Sequence, residues 1–185
     1  IRHPEVNSRK VSLWEVTVRY AHGLLLLVTF SASANADVIA ASPGHYTLRH
    51  EAVSSLAPGA LWNRLVHPET WWSPAHSYSG DAANLSLDPR AGGLWKEEWD
   101  GGSVAHGEVL YVNPGEQLRL EAPFGPLQSM AVDVVWTITI LPEGTGSKVI
   151  FDEVANGSEA SNLDKVAGAV DGVKAEAMRR LVAGE

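Results

Sequence analysis

Glu97 stands between two tryptophans in the run Leu94-Trp95-Lys96-Glu97-Glu98-Trp99. Side chains alternate along an extended strand, so Trp95, Glu97 and Trp99 share one face while Leu94, Lys96 and Glu98 share the other. A carboxyl group among indoles loses hydration. Its ionised form is then disfavoured, its pKa rises, and it is prepared for general acid or base work. The competing reading sets Glu97 at a cavity mouth in water or beside an arginine. His76 is the second candidate for moving a proton. It lies in Ser-Pro-Ala-His-Ser-Tyr-Ser-Gly-Asp after Trp71-Trp72, a loop composition suited to covering a pocket entrance.

Other chemistries find no support. His106 and Glu108 share a strand face with Leu110 and Val112, which reads as a surface histidine; no H-x-H or H-E-x-x-H spacing occurs, so no metal site is expected. No serine sits in a G-x-S-x-G elbow, and Gly92-Gly93 lacks the lysine and spacing of a phosphate loop. No cofactor is expected.

The aromatic inventory of Trp71, Trp72, Trp95, Trp99, Tyr111 and Trp136 suggests a different use. Rings on strands that face a helix line a cavity or fill a core, and ligand cavities hold roughly 300 to 1,000 Å3. Gly168 and Gly172 lie four apart on one face of a helical run, each costing about 1 kcal/mol relative to alanine. Either the sheet approaches them closely or they leave room for a ligand. The candidate ligand-binding set is therefore these six aromatics, Glu97 and the two glycines.

The elements that position these residues follow from periodicity. Tyr46, Leu48, His50 and Ala52 share one face of a first strand, and Leu61, Trp62, Leu65 and Val66 recur at helical spacing between Pro58 and Pro68. Strand signals then cover 85–88, 93–100, 104–113, 117–122, 131–141 and 148–154, separated by turns such as Asp100-Gly101-Gly102 and Pro114-Gly115. Leu163, Val166, Ala167, Val170, Val173, Ala177 and Leu181 finish the chain at helical spacing, over about 30 Å at 1.5 Å per residue. The simplest way to bury both patterns is an α+β helix-grip fold, a curved antiparallel sheet wrapped around the C-terminal helix.

A chain of 185 residues suits one ordinary domain. Residues 1–36 differ from the rest. Arg9, Lys10 and Arg19 precede an apolar run from Gly23 to Phe30, and Ala34 and Ala36 form an A-x-A pattern before Asp37, which reads as a secretory signal. An N-terminal amphipathic helix is the competing reading. On the secretory reading, residues 37–185 form the exported domain, periplasmic or secreted, with no membrane span after cleavage. Removing four basic and two acidic residues with the leader takes the net charge from -8 to -10, which argues against nucleic acid as a partner. Cysteine is absent, excluding disulfides, thiol catalysis and thiolate metal sites.

The series Trp62 to Trp72, Leu87-x-x-x-x-Gly92-Gly93-x-Trp95, Gly107-x-Val109, Pro114, Leu118-x-Leu120 and the terminal helix resembles the START-like, or SRPBCC, superfamily over about residues 45–183. Within it the sequence is most similar to the branch related to the activator of the heat-shock-protein-ninety ATPase. The resemblance implies a cavity between sheet and helix, and three functions are expected from it. The first is an exported binding protein for a small hydrophobic or lipid-like molecule. The second is an enzyme similar to polyketide cyclases and dehydrases, with Glu97 or His76 shuttling a proton. The third is a protein-interaction module like the ATPase activator, whose partner the sequence does not name.

Overall fold

A computed structural model of the protein describes residues 35–183. Strands β1 (Asn35–Ser42) and β2 (His45–Ser54) form a hairpin, and α1 (Pro58–Leu65) follows, with Pro58 in the first turn and Leu61 and Leu65 buried. Three 3-10 turns, Pro68–Thr70, Pro74–His76 and Ala82–Asn84, lead to β3 (Leu85–Leu87). Strands β4 (Leu94–Trp99), β5 (Gly102–Asn113), β6 (Gln117–Glu121), β7 (Asp133–Glu143) and β8 (Gly146–Asn156) then meander to the long helix α2 (Leu163–Val182).

The eight strands form one antiparallel sheet in the order β1-β2-β8-β7-β6-β5-β4-β3. Its one non-sequential step joins β2 to β8, with His45 opposite Asn156 and Ser54 opposite Ser147. Alternation then buries Tyr46, Leu48, His50 and Ala52 from β2, Val134, Trp136, Ile138 and Ile140 from β7, and Val149, Phe151, Glu153 and Ala155 from β8. Helix α2 covers this concave face through Leu163, Ala167, Ala177, Met178 and Leu181. The architecture is the expected helix grip.

The turn before β4 explains the paired glycine. Gly92 has φ +80, and a Cβ on Gly93 would fall 2.1 Å from the carbonyl oxygen of Asp88, so only glycine fits at the second position.

Two departures from the sequence reading matter for function. The first is β1, which was not expected; its first residues Asn35 and Ala36 pair with Glu51 and His50. These are the last two residues of the expected leader, and 1–34 lie outside the described residues. The second is a pair of bulges in β5. Trp95 pairs with Gly107 but Lys96 with Ala105, leaving His106 as the extra residue, and Val109 pairs with Leu120 but Tyr111 with Arg119, leaving Leu110 extra. The first bulge turns His106 inward, so it is buried while Glu108 remains exposed. The second reverses the phase again and places Tyr111 on the outer face, where it is 44% exposed beside the Arg119 guanidinium. A surface His106 is thereby corrected.

Candidate functional site

A hollow of about 630 Å3 lies between α2, the sheet and two connecting segments. Helix α2 contributes Val166, Ala169, Val170, Val173 and Lys174 to its wall. Residues Trp72, His76, Ser77 and Tyr78 form a second side, and Ala122, Phe124, Gly125, Pro126 and Leu127 a third. The sheet adds His106 and Glu153. Most of this surface is aliphatic or aromatic carbon, which favours an apolar occupant.

Beside the hollow, six rings pack solidly. Trp71, Trp72, Trp95, Trp136, Phe124 and Phe151 contact one another at centroid distances from 4.9 to 6.3 Å, mostly edge to face. Trp71, Trp95 and Trp136 lie in this block and do not border the hollow; Trp72 and Phe124 belong to both. The β4–β5 hairpin holds Trp99, whose indole lies against Gly102.

Glu97 is fully buried and occupied. The Tyr78 N–H donates to its Oε2 at 2.9 Å, the Ser79 N–H to its Oε1 at 2.5 Å, and His106 Nε2 lies 3.0 Å from Oε2. Burial is the largest single influence on this carboxyl and works to raise its pKa, but the hydrogen bonds from Ser79, Tyr78 and His106 together hold it below the usual carboxylate range. This overturns the expectation of a raised pKa among indoles. Trp95 does share the inward face of Glu97, yet backbone donors from the neighbouring loop reach the carboxylate first. Glu97 therefore staples the segment that forms one lip of the hollow. Burial lowers the pKa of its partner His106, with Glu97 opposing, so the imidazole is kept neutral with its hydrogen on Nε2.

The lip has other ties. Trp72 Nε1 donates to the His76 carbonyl at 3.0 Å, and His76 Nε2 lies 3.1 Å from Glu176 Oε2 on α2. At the mouth, the Tyr78 hydroxyl donates across to the Gly125 carbonyl at 3.3 Å, with its ring against His106.

Deeper in, a polar cluster joins α2 to the sheet. Lys174 Nζ is 2.7 Å from Glu153 Oε2 and 3.3 Å from the ring centre of Trp136. The Tyr46 hydroxyl donates to Glu153 Oε1 at 2.7 Å. Burial, reinforced by Glu153, pushes the Tyr46 phenol above its ordinary range and keeps it a donor. Burial lowers the Lys174 pKa, with Glu153 opposing. His50 Nε2 lies 2.9 Å from Asp171 Oδ1, and burial again dominates and lowers the histidine's pKa.

Comparison with known proteins bears on the scaffold. No protein-family model matches the chain, and no curated protein matches its sequence. Solved structures do match. An uncharacterised protein from Rhizobium leguminosarum is 17% identical, covers 83% of this chain and 97% of its own, and gives a TM-score of 0.55. Protein Ms6760 from Mycobacterium smegmatis is 15% identical over 83% of this chain and 96% of its own, with a TM-score of 0.55. Protein MLL2253 from Mesorhizobium loti is 21% identical over 75% and 95%, with a TM-score of 0.54. The likeness is one of fold. A curved sheet gripping a C-terminal helix is shared, and no activity transfers at such identities.

Within this helix-grip scaffold the sequence-derived candidates scatter. Trp72 and His76 border the hollow, while Glu97 stands just behind its lip. Trp99 and Tyr111 are elsewhere. Gly168 and Gly172 are exposed, a Cβ on either would meet nothing within 4 Å, so the sheet does not approach them, and neither lines the hollow. Among the described residues no group of three or more His, Asp or Glu is disposed to hold a metal, and no helix is long and apolar enough to cross a membrane.

The residues that sequence reasoning missed are Lys174, Glu153 and Tyr46 as a group. A signal existed. Glu153 occupies the buried phase of Val149, Phe151 and Ala155, and Lys174 falls inside the helix stripe between Val170 and Ala177, so both are charges at core positions.

Proposed function

We propose that this chain is a START-like carrier that holds one small hydrophobic molecule beneath α2, and that it works as an exported protein. The observation that carries the binding reading is the 630 Å3 hollow, whose walls are carbon-rich and whose mouth is bordered by Tyr78 and Gly125. A space of that size accommodates a single drug-sized molecule. Export rests on the charge, apolar run and A-x-A pattern of residues 9–36.

The proton-shuttle alternative draws less support. Glu97 is ionised and committed to backbone donors, His106 is committed to Glu97, and His76 is partnered at the rim by Glu176.

The test is a fluorescence titration with the neutral apolar dye Nile red, run on wild type and on Val170→Trp, whose indole would occupy the hollow. Saturable binding by wild type, weakened at least tenfold in a variant of unchanged circular dichroism, is expected. Equal binding by both proteins would refute the site.

A further inference from the structure

We propose that the molecule held in the hollow carries a hydroxyl on an otherwise apolar body, and that this hydroxyl donates its hydrogen to His106 Nδ1. This rests on the hollow being a binding cavity and specifies what that cavity selects.

His106 borders the hollow and is 3% exposed. The first bulge of β5 turns it inward, and its Nε2 meets Glu97 Oε2 at 3.0 Å. An ionised carboxylate offers only lone pairs, so Nε2 carries the hydrogen of that bond and Nδ1 is left with a lone pair. Burial lowers the pKa of the ring and keeps it neutral, so Nδ1 stays an acceptor at neutral pH. No group among the described residues donates to it. Nor is it sealed in, because it retains accessible surface, whereas Lys174 Nζ and Glu153 Oε2 have less than 1 Å2 each and are paired with each other at 2.7 Å.

The other polar side chains of the wall are spoken for. Trp72 Nε1 donates to the His76 carbonyl, His76 Nε2 faces Glu176, Ser77 Oγ donates to the Pro74 carbonyl, and the Tyr78 hydroxyl donates to the Gly125 carbonyl. A buried lone pair therefore stands in a carbon-rich wall, with the Phe124 and Tyr78 rings centred 5.3 and 5.7 Å from its imidazole. Glu97 sharpens it. A carboxylate on the Nε2 hydrogen polarises the ring and strengthens the acceptor at the other nitrogen. An apolar cargo without a donor would cover that lone pair and leave it unmet, which costs binding. A hydroxyl satisfies it, whereas an ether sets oxygen against nitrogen with no hydrogen between them. A carboxylate fares no better, since it would need the imidazole protonated against the burial that keeps it neutral.

The experiment displaces Nile red from the full chain at pH 7.5 with 4-hexylphenol, its methyl ether 4-hexylanisole, and 4-hexylbenzoate, and repeats the series on His106→Phe, which removes the acceptor and keeps a ring. The phenol is expected to bind at least tenfold more tightly than the other two, although the ether is the more apolar, with that preference falling below threefold in the variant. If the preference on wild type is under tenfold while Nile red binds, the hydroxyl assignment is overturned and the cavity reading stands. A variant that keeps the preference overturns it too. If wild type binds neither the dye nor any of the three compounds, both readings fall. Should the variant lose the wild-type circular dichroism, nitrogen-15 NMR of the wild-type imidazole decides: the lone-pair resonance of Nδ1 is expected to move upfield with the phenol and not with the ether, and a resonance that stays still overturns the assignment.

Discussion

Helix α2 rests on two unlike floors. Beneath its last two turns, Ala177, Met178, Leu181 and Val182 meet a block of interlocked indole and phenyl rings with Trp95 and Trp136 fully buried. Beneath its middle, Val166, Ala169, Val170 and Val173 face open volume with an ion pair in its wall. The contrast reverses the intuition that tryptophans mark a ligand site. Large rings fill the space they reach, whereas alanine and valine opposite a glycine-proline loop leave it empty.

The contrast can be broken by truncation on each side. Trp95→Ala, in the solid block, should cost about 3–5 kcal/mol in urea unfolding, while Val170→Ala, beside the hollow, should cost about 1 kcal/mol or less. Equal losses would mean that the two floors are packed alike. Lys174→Met alone strands a buried carboxylate and should cost about 3 kcal/mol, most of it recovered when Glu153→Gln is added. A single variant as stable as wild type would show that Glu153 reaches water.

Glu97→Gln should cost about 1–3 kcal/mol, because a neutral amide replaces the ionised acceptor of two backbone donors and His106. Amide exchange at Tyr78 and Ser79 should quicken in the same variant. Acidification acts on the same ties. His50 and His106 have folded pKa values below the ordinary 6.5, so below about pH 6.5 the unfolded chain takes up protons that the folded one refuses. The urea midpoint should therefore be constant above that pH and fall as pH drops below it, with Glu97 adding loss of the same sign in the carboxylate range. His106→Gln should flatten the histidine part of that slope. The smallest expected effect is Gly172→Ala, which should stabilise by up to about 1 kcal/mol, since the position is exposed and nothing obstructs a methyl group.

The scaffold was readable because its signals are periodic and local. Alternation in 46–52 and 148–154, the proline at the start of α1 and the stripe of α2 each follow from one element's own residues. The hairpin partner β1 was hidden because its first two residues, Asn35 and Ala36, read as the end of a leader, and Asp37-Val38-Ile39-Ala40-Ala41-Ser42 after them has no alternating apolar face. The site was harder to see. Bulges at His106 and Leu110 arise from pairing with β4 and β6, and a period of two, read on β5 alone, cannot reveal where the phase slips. Likewise Glu97 was visible as a candidate, either desolvated among indoles or at a cavity mouth, but its backbone partners come from a loop eighteen and nineteen residues away.

Both ends of α2 are fastened. The Leu163 N–H donates to the Pro43 carbonyl at 2.8 Å, and at the other end Ser54 Oγ and Arg64 Nε donate to the carbonyls of Val182 and Leu181 at 3.0 and 3.1 Å. Between these anchorages the middle of the helix is pinned as well, by Asp171 on His50, Lys174 on Glu153 and Glu176 on His76, while Gly168 and Gly172 stay exposed. A rod pinned along its length resists both lifting and bowing, so for the proposed carrier exchange falls to the parting of the Tyr78–Gly125 hydrogen bond at the mouth.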